Sequence, residues 1–176
     1  FGDELVYFTP YTITLFLLAL TFTVLVIISR PEKQVDIAFG GDAYRAKEIS
    51  LSEMRFRRFM AIACGLASMG AMVTGDIFNF TLFTAMVGIT NVGIVAAVKS
   101  PHVQDAAYQY GLVALSATVP LFAGAEIYAA ATGSLSMIEL MKGAVPAVPL
   151  IAKAMLMIGV VVQQVMAAPQ YAAQMK

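Results

Sequence analysis

Thr74-Gly75-Asp76-Ile77-Phe78-Asn79-Phe80-Thr81-Leu82-Phe83-Thr84-Ala85 decides how this chain reads. An apolar run ends just before it and another follows as far as Lys99. Gly75 is a turn signal, and Asp76 and Asn79 are residue types that start helices because their side chains accept free backbone N–H groups. The stretch therefore predicts a tight corner between two long apolar helices.

The composition says where such helices sit. Of 176 residues, 60% are hydrophobic and only 12% are charged, with mean hydropathy +0.80. A soluble domain is roughly 45–50% apolar and about 25% charged. The fold class expected is an all-α membrane protein, with residues 1–176 forming a single transmembrane domain. Five stretches are apolar enough to approach the roughly 20 residues that cross a bilayer: about 9–29, 58–74, 76–98, 106–132 and 147–168. The first could be taken for a signal peptide. Its acidic start (Asp3, Glu4) and lack of a small-residue cleavage pattern favour a true membrane helix. Pro120 lies inside the fourth stretch, where it predicts a kink.

Net charge is zero, so nothing points to nucleic acid. One cysteine (Cys64) and one histidine (His102, expected in a short loop) leave no zinc, haem or iron–sulfur ligand set within this chain. No metal site, cofactor site or catalytic residue is expected. The methionines read as lipid-facing or gap-filling.

Residues 30–57 form the one long polar loop. From Arg30 to Arg58 it carries seven Lys or Arg and five acids, and Arg55, Arg57 and Arg58 lie where the positive-inside rule weighs them most. The loop is therefore expected in the cytoplasm. Alternation then puts the N-terminus outside and the C-terminus in the cytoplasm of a multi-pass cell-membrane protein. Gly40-Gly41 within the loop reads as a turn, too short for a phosphate-cradling loop. Ile49 to Met60 mixes apolar and basic residues, which fits an interfacial segment against lipid or a docking surface for a cytoplasmic partner.

Ionisable groups inside a span cost roughly 2.5–3.5 kcal/mol each on insertion scales, so each needs a reason. Lys153, seven residues past Pro146 and four past Pro149, is placed roughly 6–10 Å below the outer end of its helix by helical rise. It either snorkels or serves as a charge site. Glu126 falls at a similar depth, and it either pairs with Lys153 or faces the outer interface. Asp76 is either a helix N-cap or an ion-access carboxylate. These three are the ion-translocation candidates.

Thr74-Gly75-Asp76-Ile77-Phe78-Asn79-Phe80 resembles the Gly-Asp-Leu-Phe corner of antiporter-like proton-translocating subunits. Those subunits occur in respiratory complex I, in Mrp-type cation/proton antiporters and in membrane-bound energy-converting hydrogenases. Tyr108-Gln109-Tyr110-Gly111 through Ala131-Thr132-Gly133-Ser134-Leu135 resembles that family's sixth helix and its exit. Leu150-Ile151-Ala152-Lys153-Ala154 resembles the lysine-bearing seventh helix. The resemblance covers about residues 55–160 and implies that the five spans correspond to the family's third to seventh helices. It also implies a proton path through Lys153 and a Glu on the fifth helix, but that Glu position falls on Ala85. The family's Pro-His after the lysine is absent too, with Val162-Gln163-Gln164 in its place.

A shortened relative is thus expected: not an enzyme by itself, but a membrane subunit of a redox-linked H+ or Na+ translocating complex, such as an energy-converting hydrogenase. Redox cofactors would sit on partner subunits. Its partners would be other membrane subunits, lipids and a cytoplasmic redox arm reached through residues 30–58. The alternative is a non-conducting subunit that spaces and seals the membrane arm, for which Ala85 is the best sequence argument.

Overall fold

A computed structural model describes residues 6–30, 33–38, 44–138 and 148–174, with side chains described except at 35–38, 44–46 and beyond Val162. Five helices follow in order: α1 (Pro10–Ile28), α2 (Leu51–Val73), α3 (Ile77–Ala96), α4 (Pro101–Thr132) and α5 (Leu150–Gln174). The first four are long and apolar enough to cross a membrane; the apolar stretch described in α5, Leu150–Val162, is shorter. Each helix packs on the next in sequence.

Small residues set the helix contacts. A β-carbon on Gly65 would collide with Thr23 of α1, and one on Gly70 would meet the Phe83 ring at 2.5 Å. One on Gly93 would fall 2.8 Å from Met60 Sδ, and one on Gly124 would fall 2.7 Å from Leu156 Cγ. Backbones can approach this closely only where the side chain is absent. In lipid, close packing is the main force between helices, because lipid tails are as apolar as the helices themselves. Most of the exposed large apolar residues lie on the helices, which is the surface a bilayer would cover.

Three sequence expectations shift. Helix α2 begins at Leu51, seven residues before the expected span, because Ser50 and Glu53 form a reciprocal capping box. His102 lies in the first turn of α4, just after Pro101, and not in a loop. The long polar loop contains a β-hairpin, β1 (Gln34–Ala38) paired antiparallel with β2 (Tyr44–Glu48). The Gly40-Gly41 turn lies outside the described residues. Helix α4 continues through Pro120, whose missing N–H leaves the Ser116 carbonyl without its usual helical donor.

Candidate functional site

The Gly75–Asp76 corner is tied to the chain on both sides. Asp76 is the N-cap of α3, and its Oδ1 accepts the N–H groups of Phe78 at 2.7 Å and Asn79 at 3.0 Å. On one side the N-terminal segment docks, with Tyr7 N–H donating to the Val73 carbonyl at 2.7 Å. On the other side residues 135–137 run antiparallel to the corner. Ile77 N–H donates to the Leu135 carbonyl and Met137 N–H to the Gly75 carbonyl, both at 2.9 Å. Beneath this clasp, Tyr128 is fully buried and donates its hydroxyl to the Ser136 carbonyl at 3.2 Å. Ile77, Ala125, Val148 and Ala152 pack with Tyr128 as the apolar core of this end. Gly133, at φ 68°, ends α4 in the left-handed conformation and sends the chain back over the corner.

Lys153 and Glu126 lie near this clasp without meeting. Gly124 faces Leu156 and Gly159 faces Leu121, so α4 and α5 run antiparallel with Glu126 level with Ala154. That puts Glu126 and Lys153 about one residue rise, roughly 1.5 Å, apart in depth. Depth is not the obstacle to pairing; direction is. Glu126 is two residues past Gly124, about 200° of helical turn, and so points away from α5. Both side chains are exposed, and neither has a hydrogen-bond or ion-pair partner among the described residues. Lys153 is the fourth residue of α5, in its first turn, shallower than the proline spacing implied.

Ala85, where the resemblance expects a carboxylate, lines an apolar groove of about 540 Å³ between α3 and α4. Gly88, Val92, Gly111 and Thr118 form part of the same wall. The edge-to-face pair Phe78–Phe122, with centroids 5.7 Å apart, packs α3 against α4 at their corner ends. Besides Tyr128, the buried polar residues described within the helix interiors are Thr23, Thr81 and Thr90, and each of these hydroxyls bonds to a carbonyl one turn back.

The buried carboxylate among the described residues is Glu53, at the opposite end of the bundle. Its Oε2 accepts Ser50 N–H at 2.8 Å and its Oε1 accepts Lys99 N–H at 3.1 Å. Lys47 Nζ, on the hairpin, lies 3.5 Å from Oε1 and also donates to the Lys99 carbonyl. Glu53 therefore ties the hairpin, the start of α2 and the α3–α4 connection together. Sequence reasoning passed over it, although Ser50-x-x-Glu53 is the capping-box pattern.

The whole chain, residues 1–176, matches a family model described as NADH dehydrogenase I, subunit N related protein. The chain belongs to that family. That description relates the family to a component of a redox complex, in line with the antiporter-like resemblance of the Gly-Asp corner. It is also similar to an uncharacterised protein of Methanocaldococcus jannaschii, 45% identical over 142 residues, which is 81% of this chain and 65% of that protein. The chain thus spans about 65% of the length of the curated relative it matches. No solved structure matches it.

Proposed function

We propose that this family member is an integral membrane subunit of a multi-subunit redox-linked complex that translocates H+ or Na+, and that it supplies part of the ion-translocating module. The carrying observation is the pair of charges, Lys153 and Glu126, exposed at one depth on apolar helices, with no side-chain partner among the described residues. A charge costs roughly 2.5–3.5 kcal/mol at the centre of a membrane helix and less near its end, and a neighbour that satisfies both groups would remove what remains of that cost. In this reading adjacent membrane subunits supply the counter-charges, and Lys153 couples charge across a subunit boundary. The Glu126 carboxylate would meet a cation from a neighbour docked on the outer side of α4. Asp76 serves the fold as a cap. The redox cofactors belong to partner subunits, and the 30–58 segment faces the cytoplasm with the N-terminus outside.

The test is Lys153→Met in the assembled complex. Loss of ion-coupled turnover, with assembly intact, is the expected result. Full coupling in that variant would instead support the second reading, a spacer that seals the membrane arm. Ala85 favours the spacer, because the wall it lines carries no carboxylate.

A further inference from the structure

A second pocket, of about 340 Å³, opens at the end of the bundle opposite the Gly75–Asp76 corner. Three arginines form its rim: Arg30 just beyond α1, and Arg57 and Arg58 on the second turn of α2. Its floor is apolar and includes Val26, Met54 and Ile94. No carboxylate lines it among the described residues. The nearby Glu53 is committed to Ser50, Lys47 and Lys99. Arg58 donates to the Ile27 carbonyl in the last turn of α1. Arg30 and Arg57 are exposed and have no hydrogen-bond or ion-pair partner among the described residues.

Three like charges around one cavity repel one another unless an anion joins them. Guanidinium forks match the oxygen geometry of phosphate. The rim sits where α1 ends and α2 begins, at the level of lipid headgroups if these helices span the bilayer, and the apolar floor continues along the helices. From this geometry we infer that the pocket binds an anionic phospholipid. The phosphate seats among Arg30, Arg57 and Arg58, and an acyl chain lies on Val26, Met54 and Ile94. Free phosphate shares the rim chemistry but has no use for the floor. The site does not depend on whether the chain conducts ions.

The full chain is reconstituted in nanodiscs of equal phosphatidylglycerol and phosphatidylcholine. It is then released into mild detergent, and retained lipid is read by native mass spectrometry. The wild type is expected to hold a phosphatidylglycerol in preference to phosphatidylcholine. Arg30→Gln/Arg57→Gln is expected to weaken that preference roughly 30-fold, at about 1 kcal/mol per basic residue near a lipid surface. Both residues are exposed, so the fold should survive, and an unchanged melting temperature checks this. Arg55→Gln, on the same helix but outside the pocket, is expected to leave the adduct in place. The site is overturned if the double variant keeps wild-type selectivity, or if Arg55→Gln weakens it equally. Displacement of the lipid by millimolar inorganic phosphate, with a phosphate adduct in its place, would overturn the lipid assignment.

Discussion

Replacing Asp76 separates its role as a cap from a role in ion access. In Asp76→Ala, the N–H groups of Phe78 and Asn79 lose the oxygen that accepts both. Loss of an N-cap costs about 1 kcal/mol, within a range of roughly 0.5–2. Removing a carboxylate from the positive end of a helix dipole adds about 0.3–1 kcal/mol. The sum, about 1–3 kcal/mol, corresponds to a fall in melting temperature of roughly 3–10 °C in a chain of this length. Asp76→Asn keeps an acceptor oxygen and loses only the charge, so its fall should stay below about 4 °C. The single thiol, Cys64, provides the assay. It is half-buried, 3.5 Å from Asn91 Oδ1 across the α2–α3 contact. A thiol-reactive dye therefore reports separation of these helices as the detergent-solubilised chain is heated. Equal destabilisation by Asp76→Asn and Asp76→Ala would refute capping as the main role. So would loss of ion-coupled turnover in an Asp76→Asn complex of normal stability.

Two further substitutions probe the packing and the opposite end. Gly124→Val puts a branched side chain against Leu156, and overpacking of this kind costs roughly 1–3 kcal/mol. Thermal unfolding followed by circular dichroism should show the loss, with partial recovery when Leu156→Ala makes room. Glu53→Ala strands the N–H groups of Ser50 and Lys99 and leaves Lys47 without its carboxylate. It should lower the melting temperature more than Asp76→Ala and speed proteolysis of the 30–50 segment; a melting curve that matches the wild type would remove Glu53 as the tie of that end.

Periodic and local signals in the sequence carried most of the fold. Gly75–Asp76 announced the corner because a turn residue beside a capping residue between apolar runs has few other uses. The starts of α1 and α3 lie close to the expected ones at Pro10 and Asp76, and α4 ends at Thr132 as expected, but α4 begins at Pro101, five residues before the expected start at 106. The start of α2 was missed because the hydropathy of Arg55 to Arg58 hid a helix that begins with a capping box. The hairpin was missed although Val35 and Ile37 alternate with polar neighbours on one side of Gly40-Gly41. A short polar ribbon carries too little apolar signal to stand out beside membrane helices.

The candidate site was legible only in part. Depth along a helix follows from residue number, and Glu126 and Lys153 do lie at one level. Direction depends on which face packs inward, and Gly124, set against Leu156, turns Glu126 away from α5. The arginine rim could not be read from spacing, because Arg30 follows α1 while Arg57 and Arg58 lie on α2. Only the packing of these helices brings them to one cavity.

Membership of a multi-subunit redox complex is the central claim, and isolation of the chain from its own membranes tests it most directly. A tagged full chain, extracted in mild detergent from the native cells and analysed by mass spectrometry, should bring with it other polytopic membrane subunits and a cofactor-bearing redox subunit in fixed ratio. A chain that leaves the membrane alone, or only with copies of itself, under conditions that keep comparable complexes intact would contradict the account.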